Sequence, residues 1–96
     1  MNLSIKDILK CTKGKLVTGD EKEECINYSR DTRTIKNGDT YIAIKGENFD
    51  GNLFWEEAIK KGANTVILNN MNITEEKRNE YKNKNIILVD DTVKAI

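Results

Sequence analysis

Hydrophobic and polar positions fall into a regular order from Thr40 onward. Thr40 to Ile44 reads as a strand, Leu53 to Lys61 as a helix, Thr65 to Leu68 as a strand, Glu75 to Tyr81 as a helix and Ile86 to Val89 as a strand. Strands that alternate with helices pair in parallel, because a crossover through a helix returns the chain to the sheet in its original direction. Right-handed crossovers then lay the helices over the sheet. Trp55, with Ala58, Ile59 and Gly62 at helical spacing, reads as core packing, and Lys60-Lys61 as a solvated face.

The pattern ahead of Thr40 is looser. Ser4, Asp7 and the Ile5-Ile8-Leu9 stripe predict a short N-capped amphipathic helix that Gly14 closes. Lys15 to Thr18 and Cys25 to Tyr28 alternate like strands, and the polar run Gly19 to Lys22 between them predicts a hairpin or a loose pair of edge strands. The fold class expected is α/β, a small layered domain with a mixed, partly parallel sheet flanked by helices. Residues 1–91 make up this domain. Asp90-Asp91 then offers an N-cap, and residues 92–96 begin another apolar-periodic helix that the sequence leaves within about one turn, a pattern expected of a chain cut from a longer one.

Composition narrows the function more than the fold. The 96 residues suit one compact domain. Sixteen basic residues cancel sixteen acidic ones with no Lys/Arg block, which removes the electrostatic footprint of a nucleic-acid binder. No apolar run approaches the roughly 20 residues that cross a bilayer, and the first residues have no signal-peptide core, so membrane insertion is not expected and the cytoplasm is. Cys11 and Cys25 are the only cysteines and histidine is absent, so neither a zinc site nor a Cys-His nucleophile can be assembled. Both thiols read as small apolar side chains.

Residues suited to a polar ligand concentrate between Tyr28 and Gly51. Ser29-Arg30-Asp31-Thr32-Arg33 follows one predicted strand, and Lys45-Gly46-Glu47-Asn48-Phe49-Asp50-Gly51 follows the next. If those strands are neighbours, both segments leave one rim of the sheet, where open α/β sheets gather their ligands. Thr32 can donate to a phosphate or ribose oxygen, and glycine-flanked backbone from Gly46 to Asn48 can approach a base edge. Phe49 offers a face for a pyrimidine, a stack worth about 1–3 kcal/mol. Other readings of the same residues are structural: Asn37-Gly38 as a tight turn, Asp50-Gly51 as a helix cap, and Arg33 pairing with Asp31 or Asp50 to pin the two loops together.

Taken together these segments resemble a known family. Asp31-Thr32-Arg33, Asn37-Gly38-Asp39-Thr40-Tyr41-Ile42-Ala43-Ile44-Lys45-Gly46, Asp50-Gly51-Asn52-Leu53-Phe54 and Ala58-Ile59-Lys60-Lys61-Gly62-Ala63 are similar to the N-terminal signature of the Mur ligases: D-S-R, an apolar residue, x-x-G-D, F-V-A-x-x-G, D-G-H, F, and A-x-x-x-G-A. Val89-Asp90-Asp91-Thr92-Val93-Lys94-Ala95-Ile96 is similar to the family's V-x-D-T-x-x-A-L. The likeness extends over the whole chain. The opening residues, Gly14 to Val17 and the Gly46 to Gly51 loop look more like the branch that adds D-alanyl-D-alanine than the one that adds the third peptide residue.

The resemblance implies an ATP-dependent, three-domain ligase of peptidoglycan synthesis working through an acyl phosphate. This domain would bind the UDP end of a UDP-N-acetylmuramoyl-peptide, a central domain ATP and magnesium, and a C-terminal domain the incoming dipeptide. Carried over by position, Thr32 stands at a serine that contacts UDP, Arg30 lies two residues before it on the pocket wall, and Glu47, Asn48 and Phe49 occupy the stretch that contacts uracil. Asp31, Arg33, Gly46, Asp50 and Gly51 support them. Thr32 for serine keeps the hydroxyl and Tyr41 for phenylalanine keeps the ring, whereas Asn52 for the histidine of D-G-H leaves only a capping role. The 96 residues hold no phosphate loop of the G-x-x-x-x-G-K-[ST] type, so the fragment is expected to bind no cofactor and to be catalytically silent.

Overall fold

The computed structural model describes residues 3–95, in which strand β1 (Leu3–Ser4) runs straight into helix α1 (Ile5–Thr12). The Ser4 hydroxyl accepts from the Asp7 amide at 3.1 Å, the cap that the sequence predicts. The other end departs from expectation. Lys13, not Gly14, takes the left-handed conformation, with φ 56°. Gly14 is needed for room, since a Cβ there would stand 2.9 Å from Thr12 Oγ1 and 3.0 Å from the Leu88 carbonyl oxygen.

Strand β2 (Lys15–Thr18) forms as expected, but no hairpin follows it. The segment predicted as one strand divides into β3 (Glu24–Cys25), antiparallel to β1, and β4 (Tyr28–Ser29), which joins a different sheet. Between them Asn27 sits at φ 46°, a left-handed conformation that asparagine adopts more readily than most residues and that breaks the extended chain.

The second half keeps its predicted order: β5 (Thr40–Ile42), α2 (Trp55–Lys60), β6 (Thr65–Asn69), α3 (Glu75–Glu80), β7 (Asn85–Val89) and α4 (Thr92–Ala95). The helix expected from Leu53 opens instead as a 3-10 turn, Gly51–Phe54, before α2 begins. At α4 the Asp91 carboxylate accepts from the Val93 amide at 2.9 Å, as an N-cap does, while Ile96 lies outside the described residues. The main sheet has the order β2-β7-β6-β5-β4, with β4 to β7 parallel and β2 antiparallel on β7. It is the mixed, partly parallel sheet expected.

Alternate residues of the central strands feed two cores. Tyr41, Val66, Leu68, Ile86 and Leu88 pack with Trp55, Ala58 and Ile59 of α2 and with Ile73 and Tyr81, whereas Ile42, Ile67, Ile87 and Val89 pack with Ile5 and Ile8 of α1. Burial on both faces is why β6 and β7 are continuously apolar rather than alternating. Each such side chain contributes about 1.5–3 kcal/mol on leaving water. Trp55 meets the Tyr81 ring edge to face at 5.2 Å, and so serves the core as expected. Among the described residues no helix is long and apolar enough to cross a membrane.

Candidate ligand-binding site

Strands β4 and β5 are parallel neighbours, with Tyr28 opposite Thr40 and Ser29 opposite Tyr41. The segments that follow them, from Arg30 and from Lys45, therefore leave the same edge of the sheet. That juxtaposition lets one ligand touch both segments.

Local chemistry shapes the first segment. The Asp31 carboxylate accepts from the Arg33 amide at 2.9 Å, capping a 3-10 turn over Thr32–Thr34. It also receives the Arg33 guanidinium through Nε at 3.1 Å and Nη2 at 2.8 Å. These bonds from Arg33 hold the Asp31 carboxyl down at about 2, against an ordinary value of 3.8. Arg33 thus pairs within its own turn. It does not reach Asp50, so the two loops are not pinned together by it.

The second segment closes on itself. Lys45 and Asp50 form an antiparallel bridge, the Gly46 amide donates to the Phe49 carbonyl at 2.7 Å, and the Gly51 amide returns to the Ile44 carbonyl at 2.9 Å. Asp50 caps the following 3-10 turn by accepting from the Asn52 amide at 3.0 Å, as the sequence suggests, and the Asn52 side chain first, then this amide, lower its carboxyl pKa. Asn52 does more than cap. Nearly buried, it donates to Asp50 at 2.8 Å and accepts from the Asn69 amide at 2.9 Å, while Asn69 accepts from the Thr92 amide at 3.1 Å. This relay ties the loop to the end of β6 and to α4.

A cavity of about 560 Å³ opens between the two segments. Arg30, Asp31, Thr32 and Arg33 line it from one side, and Gly46 and Phe49 from the other. Buried Tyr41 and half-buried Ile44 lie at its base, and the wall is completed by Phe54 and Glu57. The Phe49 and Phe54 rings stack with centroids 5.5 Å apart and planes 7° from parallel, and both stay partly open to solvent. The Thr32 hydroxyl donates to Glu57 Oε2 at 2.8 Å. Arg30 has no carboxylate within ion-pair distance among the described residues, so its charge is free while that of Arg33 is matched. Tyr41 donates to the Gly51 carbonyl at 2.8 Å, and burial, with the charges of Asp50, Glu57 and Asp31, pushes its phenol up to about 12.

Six of the ten residues singled out in the sequence therefore share one cavity: Arg30, Asp31, Thr32, Arg33, Gly46 and Phe49. Glu47 and Asn48 are exposed at the loop tip without lining it, Asp50 faces a separate depression beside Asn52 and Asn69, and Gly51 is buried behind the wall. Glu57 and Phe54 were missed as site residues. A second groove of about 610 Å³ adjoins the cavity, sharing Arg30 and Ile44, and is otherwise bounded chiefly by apolar side chains such as Ile8, Ile42 and Ile67.

The protein is a layered α/β domain, an architecture that collects polar ligands at the carboxyl rim of its strands. Residues 27–96 match the Mur ligase family, catalytic domain, and the chain belongs to the Mur ligase family. A UDP-N-acetylmuramoyl-L-alanyl-D-glutamate--2,6-diaminopimelate ligase of Clostridium perfringens is 35% identical over 92 residues, covering 96% of this chain and 18% of the relative. The UDP-N-acetylmuramoyl-tripeptide--D-alanyl-D-alanine ligase of Bacillus subtilis is 32% identical over 94 residues, covering 97% and 20%. A solved UDP-N-acetylmuramoylalanyl-D-glutamyl-2,6-diaminopimelate--D-alanyl-D-alanyl ligase from Acinetobacter baumannii superposes with a TM-score of 0.73 at 22% identity, over 99% of this chain and 20% of that one. The fold is that of a Mur ligase N-terminal domain. The chain spans about a fifth of the length of these relatives.

Proposed function

We propose that the cavity between Thr32 and the Gly46–Phe49 stretch binds the UDP group of a UDP-N-acetylmuramoyl-peptide, and that the chain is the substrate-gripping domain of an ATP-dependent ligase of peptidoglycan synthesis. The observation that carries this reading is the meeting of Thr32, unpaired Arg30 and the Phe49–Phe54 face in one cavity. A nucleoside diphosphate needs those three things: a hydroxyl for a ribose or phosphate oxygen, a cation for the diphosphate and a flat apolar surface for the base. Asp31 and Arg33 fix the turn that carries Thr32, and Asp50 and Gly51 fix the loop that carries Phe49. Glu47 and Asn48, at the loop tip, would meet the base edge from outside.

The rest of the ligase follows from the family rather than from these residues. ATP with magnesium would supply the activation of the substrate carboxyl in the parent enzyme, and the fragment would bind and orient substrate without reacting it. Residues 92–96 would begin the passage to a central domain. Addition of D-alanyl-D-alanine is the reading preferred, supported by the likeness of the opening residues and the Gly46–Gly51 loop to that branch. The sister activity, addition of diaminopimelate, is supported by the 35% identity to the clostridial relative.

Titration with UDP, followed by amide NMR, tests the site. Shifts at Thr32 and at Gly46 through Phe49 are expected, with weak affinity. A folded chain whose amides stay put at millimolar UDP would sink the reading.

A further inference from the structure

Glu57 is out of place in a pocket for an anion. It projects from α2 into the cavity, and the Thr32 hydroxyl is the one donor recorded to its carboxylate among the described residues. An ionised carboxylate offers about four acceptor positions and no donor. It therefore repels a diphosphate and attracts a group rich in hydroxyls. Arg30, which does the opposite, lies where the cavity meets the adjoining apolar groove, whereas Glu57 borders the cavity alone. The two charges give the cavity a direction.

Resting on the proposed nucleotide site, we infer that Glu57 is a specificity-determining residue that accepts hydrogen bonds from the ribose hydroxyls, so that the nucleoside lies toward α2 and the diphosphate toward Arg30. The vicinal hydroxyls of a ribonucleoside supply two donors, which suit the two oxygens of one carboxylate. Thr32, already held by Glu57, keeps its lone pairs for a ligand donor or turns its proton to a ligand oxygen once a ribose hydroxyl takes its place on Glu57. The adjoining groove then receives whatever is attached beyond the second phosphate. Its apolar lining suits a bulky organic substituent rather than further charge.

The test compares binding of UDP and 2′,3′-dideoxy-UDP, by calorimetry or amide NMR, to the wild-type chain and to Glu57→Gln, with N3-methyl-UDP as a third probe. The wild type is expected to favour UDP over the dideoxy form about tenfold, the scale of one charge-assisted hydrogen bond. In Glu57→Gln that ratio should fall severalfold toward one, whatever happens to overall affinity. Far-UV circular dichroism of the variant identifies any loss of fold, and in that event Glu57→Asp, which keeps the charge on a shorter arm, replaces it with an intermediate ratio expected. UDP binding with an unchanged ratio overturns the inference alone, as does loss of N3-methyl discrimination in place of ribose discrimination. No UDP binding by the folded wild type overturns the proposed function, and this assignment with it.

Discussion

The Tyr41 phenol donates to the Gly51 carbonyl at 2.8 Å, joining the second residue of β5 to the far end of the loop that leaves that strand. The approach is close enough to exclude a side chain. A Cβ on Gly51 would stand 2.8 Å from the Ile44 nitrogen and 3.0 Å from both the Ile44 carbonyl oxygen and the Tyr41 hydroxyl. Two of those atoms are backbone and cannot swing aside. Gly51→Ala is expected to destabilise the fold by about 1–3 kcal/mol, the usual scale of an overpacked site. Tyr41→Phe should cost about 0.5–1.5 kcal/mol, the net worth of the one hydrogen bond its phenol makes to that carbonyl. In the double variant the costs should fall short of additive, since the phenol oxygen is one of the clashing atoms. Denaturant unfolding measures all three, and a Gly51→Ala midpoint equal to wild type would refute the packing described.

The same phenol makes stability sensitive to alkali. Its pKa rises from an ordinary 10 to about 12 in the folded state, mainly through burial and then through the charges of Asp50, Glu57 and Asp31. A folded-state pKa above the unfolded one means that the contribution is complete below pH 10 and is lost as pH rises through 12. The stability advantage of wild type over Tyr41→Phe should therefore shrink across that interval. An advantage that holds constant to pH 12 would show that the phenol titrates normally.

Asp31 behaves in the opposite sense. Its pKa is depressed from 3.8 to about 2, first by the side-chain bonds from Arg33 and then by the Arg33 amide. Whatever it contributes to holding the Thr32–Thr34 turn is present above pH 3.8 and disappears as pH falls through 2. Carboxyl carbon NMR should place the Asp31 midpoint near 2. In Arg33→Met it should move upward but stop short of 3.8, because the backbone amide remains a donor. No movement would mean that the guanidinium does not hold the carboxylate in solution.

Much of this arrangement is legible in the sequence, and for identifiable reasons. Strands β6 and β7 are buried on both faces, so their apolar runs stand out, and the Ser4 cap marks the start of α1 with a residue that has few other uses there. The first half was harder. Cys25 to Tyr28 keeps the alternation of a single strand although its two ends pair with different neighbours, and only the conformation of Asn27 reveals the break. Glu57 was not legible at all. Glu56 and Glu57 are adjacent acidic residues in the first turn of one helix, yet Glu56 accepts from Lys77 and Tyr81 while Glu57 faces Thr32. Which carboxylate turns toward the cavity depends on how α2 is rolled on the sheet, and Trp55, Ala58 and Ile59 settle that through the core. Local sequence carries no record of a partner 25 positions away.

The loop after β5 offers a way to separate folding from recognition. A Cβ on Gly46 would meet nothing nearer than the Phe49 carbonyl oxygen at 3.9 Å, so Gly46→Ala should leave stability within about 0.5 kcal/mol of wild type. Phe49 is 53% exposed and rests on Phe54, so its removal should also cost the fold little. Both positions nonetheless line the cavity. If a uracil stacks on the Phe49 face, Phe49→Ala should weaken UDP binding by about 5- to 150-fold, the equivalent of about 1–3 kcal/mol of base stacking. Gly46→Ala should weaken it too, because a methyl group at the cavity lip stands where the base edge must approach. The measurement is a UDP titration of each variant beside its unfolding curve. Binding that survives both substitutions unchanged would place the base elsewhere in the cavity and remove the aromatic pair from the site.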